Sequence, residues 1–264
     1  MRSIAIFGIT GRMGQTLIRA LRETPGFHLS GAIASGGSGR LGQDAAAEGP
    51  PTGVPITADS KTGIRGASVA VDFSVGGWVA AHAGDCADAG VPLLIGTTGF
   101  DEAAARVIEQ AARKIPVLIA PNTSVGVSVV TQLAATAALG LGPSYDVEIF
   151  EAHHRMKRDA PSGTALALGE AVAGARGQAL QDVAIYDRTA LNAARTPGSI
   201  GFSSLRAGDI VGEHTVTFAT AGERVEITHR ATDRITFARG ALRAADWLAG
   251  QPAGLYGMKN VLGL

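Results

Sequence analysis

The opening stretch of the chain constrains its fold more than any other. Ile4-Ala-Ile-Phe7 is an apolar run too short for a helix, Gly8-Ile9-Thr10-Gly11-Arg12-Met13-Gly14 follows at once, and Gln15 to Leu21 repeats apolar residues at helical spacing. A strand that turns through glycines straight into a helix is the first half of a βαβ unit, and it demands a parallel partner strand. Further short apolar runs occur at Phe27 to Ala34, Ser68 to Ser74, Val91 to Gly96 and Ile115 to Ala120. Helical patterns separate them: Asp101-Glu102 caps one predicted to run to Lys114, and Val125 opens a long apolar one reaching Leu139. Strands alternating with helices predict an α/β fold with a doubly wound parallel sheet, whose ligands lie beyond the carboxyl ends of the strands.

The glycine turn therefore sits where a nucleotide pyrophosphate would meet a helix N-terminus. Its spacing is Gly-x-x-Gly-x-x-Gly, so Thr10 stands where the commoner dinucleotide fingerprint has a second glycine. Residues Gly8, Ile9, Thr10, Gly11, Arg12 and Met13 are the candidate pyrophosphate contacts. The second strand ends in Ala34-Ser35, and no carboxylate occurs from there to Arg40. Nothing at that point repels the additional phosphate of NADP, and Ser35, Ser38, Arg40 or Arg12 are available to contact it. NADPH is accordingly expected to be accepted, with NADH a second donor. Gly96-Thr97-Thr98 and Ala120-Pro121-Asn122-Thr123 end two further strands on the same edge, although such residues are also ordinary turn formers.

A second concentration of chemistry follows the long helix. Tyr145 to Ala152 alternates polar and apolar residues, which predicts a strand that delivers His153 and His154 to opposite sides. Arg155, Lys157 and Arg158 add positive charge, and Pro161 with Ser162-Gly163-Thr164 opens a helix through Ala171. An imidazole titrating near neutrality, an ammonium and a helix start together suit a small carboxylate whose reaction needs a proton. A surface histidine pair before an ordinary cap is the plain alternative. Gly177 to Gly198 is polar and predicted as a long loop with a short strand near residues 183–186. Three alternating segments, 199–206, 212–218 and 223–229, predict an antiparallel or mixed sheet with a face open to another subunit. Thr236 to Leu248 reads as an amphipathic helix returning to the first domain. The expected division is residues 1–124, completed by 235–264, as a dinucleotide-binding domain, and 125–234 as a second, α+β domain.

Composition narrows the function classes. Lysine plus arginine and aspartate plus glutamate number 23 each, which speaks against nucleic acid or an acidic membrane as the main partner. A single cysteine, Cys86, allows neither an intrachain disulfide nor a cysteine-based metal site, and no metal is expected. The N-terminal apolar run is too short for a signal peptide and no run spans a bilayer, so the cytoplasm is the expected address.

Several of these motifs together resemble the 4-hydroxy-tetrahydrodipicolinate reductase family, also called dihydrodipicolinate reductase. They are Gly8 to Gly14, Val71-Asp-Phe-Ser74, Ile95-Gly-Thr-Thr-Gly99, Asn122 to Val127, Glu151-Ala-His-His154 with Lys157, Asp159 to Ala165, Gly208 to His214, and Arg234 before Phe237. The resemblance implies NAD(P)H-dependent reduction of a small cyclic dicarboxylate, with loss of water, in the diaminopimelate and lysine pathway. By it, residues 8–13, Ala34-Ser35, 96–98 and 120–123 bind the nucleotide, and the second domain forms a homotetramer through its sheet. His153 would donate the proton and Lys157 would be a second donor or charge stabiliser. His154, Ser162, Gly163, Thr164 and Arg234 would hold the substrate. Ala34-Ser35 departs from relatives that carry an acidic-basic pair there, which leaves cofactor preference open. Two rivals are a non-enzymatic dinucleotide-sensing regulator and another two-domain NAD(P)-dependent dehydrogenase. The first has no need of the histidine-lysine cluster; a semialdehyde dehydrogenase, an example of the second, would need a catalytic cysteine.

Overall fold

The computed structural model describes residues 1–189 and 193–264. In chain order the elements are β1 (Arg2–Phe7), α1 (Arg12–Glu23), β2 (Phe27–Ile33), β3 (Ile56–Thr57), α2 (Ser60–Ile64), β4 (Val69–Asp72), α3 (Gly76–Ala89), β5 (Leu93–Ile95), α4 (Glu102–Ala112) and β6 (Pro116–Ile119). They continue with α5 (Val125–Leu141), β7 (Asp146–His153), α6 (Gly163–Ala175), α7 (Leu180–Val183), β8 (Ala184–Ile185), β9 (Ile200–Arg206), β10 (Gly212–Thr220), β11 (Glu223–Ala231), α8 (Ile235–Leu248), β12 (Gly254–Tyr256) and α9 (Met258–Leu262). The chain divides into two compact units, Met1–Val125 with Arg234–Leu264, and Gly126–Asp233. Val125 and Arg234 thus belong to the first unit, one residue beyond each expected seam.

The first unit is a parallel sheet in the order β12-β6-β5-β4-β1-β2-β3. Period-two alternation explains why it is covered on both faces. Ile4, Ile6, Val69, Val71, Leu94 and Leu118 enter one core, which α1 and α8 complete with Leu17, Ala241, Leu242 and Leu248. Their neighbours Ala5, Phe7, Ala70, Leu93, Ile95 and Val117 enter the opposite core, with Val79 and Ala83 of α3 and Ile108 of α4. The edge strands β3 and β12 escaped prediction because two or three residues carry no readable period.

The second unit is a mixed sheet in the order β11-β10-β7-β9-β8. β7 pairs antiparallel with β10 and parallel with β9. The consecutive segments β9 and β10 are therefore not neighbours: β7 lies between them. Its alternate residues Val147 and Ile149 join Ile200, Phe202, Val216 and Phe218 under α5 and α6. The other face leaves Phe150 and Leu205 each 39% exposed. Within the expected loop of residues 177–198, positions 180–183 form a helical turn and the strand shrinks to Ala184–Ile185. Residues 190–192 of that loop lie outside the described residues.

Candidate active site

In the first unit the glycine turn is closed by backbone. Gly8 has φ +77, and a Cβ there would lie 2.4 Å from the Phe73 carbonyl oxygen; a Cβ on Gly14 would lie 2.5 Å from the oxygens of Gly8 and Ile9. The first glycine makes the turn and the third lets α1 pack onto it. Gly11 is the N-cap of α1 and supplies no side-chain cap, so the opening amides are left for a ligand. Beside this turn lies a cavity of about 410 Å³ lined by Gly8, Thr10, Gly11, Ala34, Ser35 and the 56% exposed Trp78, among others. A tight glycine turn, an open helix start and an apolar slot with an aromatic wall fit a dinucleotide.

A charged residue buried in β4 organises the same edge. The fully buried Asp72 accepts from Ser74 N at 2.8 Å and Thr97 Oγ1 at 2.7 Å, and shares a proton contact of 2.7 Å with His82 Nδ1. Burial raises its pKa, but His82, Ser74 and Thr97 outweigh that and hold it below the usual carboxylate range. Asp72 thereby ties β4 to α3 and to the Gly96-Thr97-Thr98 loop. Three side chains on this edge are engaged within the protein. The Thr97 hydroxyl faces Asp72, and the buried Thr123 hydroxyl donates to Phe237 O at 2.7 Å, so these side chains bind the protein itself. Their loops retain exposed Thr98, Pro121 and half-buried Asn122, with Gly96 and Ala120 buried behind them. Arg40 donates to the Asp44 and Ala46 carbonyls at 2.8 and 2.9 Å, so its guanidinium is engaged with backbone of its own loop.

Arg234 is the N-cap of α8, in the same unit as Arg12. Burial and the charge of Arg12 both lower its pKa, so the two guanidiniums sense one another. Of the residues expected to hold substrate, this one stands apart from the second unit's cluster by unit membership.

The second unit brings His153, Lys157 and Ser162 near one another at the polar end of its core face. Along β7 the inward positions run Val147, Ile149, Glu151, His153, apolar first and then ionisable. Glu151, fully buried, accepts from His153 Nδ1 at 2.5 Å and from Arg206 at 2.9 Å (Nη1 to Oε2) and 2.6 Å (Nη2 to Oε1). Burial pushes its pKa up, but Arg206, Ser204 and His153 prevail and keep the carboxylate ionised. His153 is 9% exposed. Burial lowers its pKa, as do Lys157 and Arg206; Glu151 opposes them without prevailing. His214, opposite Glu151 on β10, meets the His153 ring edge-on at 5.1 Å and lies 3.0 Å from Ser162 Oγ. Burial and the cations around it push His214 down to about 3.

Ser162 is buried and caps α6 through Ala165 N at 3.2 Å, while Gly163 is exposed and a Cβ on it would meet nothing within 4 Å. The start of α6 is thus open where its dipole favours an anion. Lys157 pairs with Asp159 at 2.8 Å, and Arg206 donates to Asp159 O at 2.6 Å, which ties the loop to the sheet. His154 and Thr164 are half-buried at the two ends of this loop, and Arg155 and Arg158 are exposed. Sequence reading quoted Glu151 and His214 within motifs but gave them no role in the site, and it missed Arg206 there and Asp72 as the organiser of the nucleotide edge. The signal available for them was ionisable residues at core positions of predicted strands.

Among the described residues no cluster suits a metal ion, and no helix is long and apolar enough to cross a membrane. The family model for the dihydrodipicolinate reductase N-terminus matches residues 2–123, and that for its C-terminus matches residues 126–262. The 4-hydroxy-tetrahydrodipicolinate reductase of Anaeromyxobacter dehalogenans strain 2CP-1 is 51% identical over 100% of this chain and 98% of its own. That of Thiobacillus denitrificans is 51% identical over 99% of this chain and 98% of its own. A dipicolinate-bound dihydrodipicolinate reductase from Paenisporosarcina sp. TG-14 superposes with a TM-score of 0.78 at 25% identity, covering 98% of this chain and 99% of that one. A myo-inositol dehydrogenase from Corynebacterium glutamicum, at 13% identity and a TM-score of 0.61 over 96% of this chain and 90% of that one, shares the fold alone. With a nucleotide-binding unit, a histidine-lysine cluster at a helix start, and relatives alike along their whole length, the chain belongs to the 4-hydroxy-tetrahydrodipicolinate reductase family of oxidoreductases.

Proposed function

We propose that the second unit's cluster carries the proton-transfer half of the family's reaction, the reduction of 4-hydroxy-tetrahydrodipicolinate to tetrahydrodipicolinate with loss of water in the diaminopimelate and lysine pathway. The bound reduced nicotinamide supplies the hydride. His153 delivers the proton that completes reduction, and Lys157 stabilises the negative charge or serves as second donor. The supporting observation is the 2.5 Å contact between His153 Nδ1 and a buried, ionised carboxylate, which leaves Nε2 as the nitrogen to exchange a proton. The lowered pKa of His153 in the protein alone suits this role, because an arriving dianion favours the imidazolium beside it.

The substrate carboxylates fit the open start of α6 through Ser162, Gly163 and Thr164, with His154 also assigned to them; Arg234 is assigned to the substrate by the family resemblance. The nucleotide is assigned to residues 8–13, Ala34-Ser35, 96–98 and 120–123, the last two loops through backbone where Thr97 and Thr123 are engaged. Both NADPH and NADH are admitted, since β2 ends without a carboxylate. The open face of the second sheet, with Phe150 and Leu205, suits assembly into a homotetramer, and the cytoplasm is the assigned compartment. No nucleic-acid partner is assigned. The test follows NADPH absorbance with freshly made substrate: His153→Gln should lower turnover by about 10²–10⁴-fold, the worth of a positioned acid. Unchanged turnover removes His153 from the role.

A further inference from the structure

The proton donor of such a reaction must carry its proton on the nitrogen that faces outward, and an isolated imidazole has no preference strong enough to ensure this. In this protein three features act on the choice. Glu151 is fully buried and both its oxygens are engaged by a bidentate guanidinium, at 2.6 and 2.9 Å, so it is a fixed acceptor. His153 Nδ1 lies 2.5 Å from that acceptor. Gly212 faces the other edge of the ring, where a Cβ would come within 3.1 Å of Nε2, so glycine keeps that nitrogen uncovered.

We propose that Glu151 and Arg206 are positioning residues for His153: Glu151 holds the hydrogen on Nδ1, and Arg206 fixes Glu151 in place while its charge tempers the carboxylate's hold on the imidazolium. This rests on the assignment of His153 as proton donor. The neutral ring then keeps Nδ1–H against Glu151 and presents the Nε2 lone pair; the imidazolium carries its second proton on Nε2 and releases it outward. Without the guanidinium, the carboxylate would lose its second anchor and its charge would favour the imidazolium more strongly. The arrangement parallels the buried aspartate of a serine-protease triad, which orients a histidine without itself becoming protonated. Arg206 extends the same control to the loop, since it also donates to Asp159 O, and Asp159 holds Lys157.

The two residues push the His153 titration in opposite directions, which distinguishes positioning from mere structural support. The charged and titratable groups facing His153 are Glu151 on its own strand, Arg206 on β9, His214 on β10 and Lys157 on the loop, with Asp159 behind Lys157 and His229 behind His214. Only Glu151 favours the imidazolium strongly; the cations oppose it.

The experiment is nitrogen-15 NMR of the full-length protein labelled in its histidines, read for tautomer and titration of His153 without ligand, beside the pH profile of kcat. The parent should show hydrogen on Nδ1. Glu151→Gln should lower the His153 pKa, shift the neutral ring toward the Nε2–H form and reduce kcat by at least about tenfold with a smaller change in KM. In the triad the corresponding change of orienting residue costs about 10⁴. Arg206→Gln should raise the His153 pKa. Should either single variant fold poorly, Glu151→Gln combined with Arg206→Met removes both charges at once and should still lose the Nδ1–H preference. A Glu151→Gln protein with parental tautomer and pKa overturns the proposal, whatever its kcat. So do shifts of the same sign in the two single variants. Parental turnover in His153→Gln together with the expected tautomer change would instead remove the donor assignment and leave the positioning intact.

Discussion

His214 should make the second unit sensitive to mild acid, and the size of the effect follows from its surroundings. The ring is 4% exposed, packed edge-on to His153 and opposite both Glu151 and His229. Burial first, then the charges of His153, His229 and Lys157, push its pKa from 6.5 down to about 3, and Glu151 offsets only part of this. A depressed histidine stays neutral in the fold while the unfolded chain takes up a proton below about pH 6.5. Its contribution is therefore complete above that pH and is lost as pH falls toward about 3. Each unit in that window costs about 1.4 kcal/mol, so His214 alone should remove about 2 kcal/mol between pH 7 and pH 5. Urea unfolding at the two pH values, with hydrogen exchange of β7 and β10 amides reporting on the second unit, measures this loss in the parent. In His214→Gln, whose amide keeps a partner for Ser162 Oγ, the loss should shrink by most of that amount. An equal loss in both proteins refutes the argument, since the titration responsible must then lie elsewhere.

Asp72→Ala should destabilise the first unit by about 3–5 kcal/mol, because it leaves His82, Ser74 N and the Thr97 hydroxyl without their common acceptor. Asp72→Asn should cost less, as read from urea midpoints. Since the Asp72 pKa is depressed, its contribution is present above about pH 4 and fades as pH falls through the lower folded value. Lys157→Ala should weaken substrate handling more than nucleotide binding, seen by comparing KM for substrate with nucleotide Kd by titration; equal loss of both indicates misfolding. Apparent affinities for NADPH and NADH should lie within about two orders of magnitude of one another, and strong exclusion of NADPH overturns the reading of Ala34-Ser35.

The alternation that made the first unit legible is also what holds it together. Ile4 and Ile6 enter one core and Ala5 and Phe7 the other, so an apolar run without polar interruption is the pattern of a strand covered on both faces. The central strands followed from that pattern, and α1, α4, α5 and α8 from helical spacing, but α3, with glycine, alanine and aspartate through Gly76–Ala89, carried no readable apolar stripe. The two-residue β3 and three-residue β12 followed from neither, because their place is set by pairing with β2 and β6 and not by any period of their own. The order of the second sheet was illegible for a related reason. Short turns between alternating segments suggest hairpins, yet β9 and β10 are held apart by β7, whose inward residues Val147 and Ile149 meet apolar partners on both flanking strands. Sequence separation does not reveal that a distant strand buries more by sitting in the middle.

The site divides along the same line between local and assembled properties. His153, Lys157 and Ser162 were readable because they stand within one short stretch at a strand-to-helix transition. Glu151, Arg206 and His214 come from three strands, and only the registers Glu151 with His214 and His153 with Arg206 bring them together. Each nevertheless broke a local rule: an ionisable side chain occupied a position whose period assigned it to the core. Asp72 in the run Val69 to Asp72 broke the same rule at the nucleotide edge. Buried charge is costly unless it is paired, so a carboxylate at a predicted core position implies a cation or donor elsewhere in the chain. The partners here are Arg206 for Glu151 and His82 for Asp72. That inference was open from sequence as to existence and closed as to identity, because pairing across a sheet depends on register, and register depends on which strand buries what.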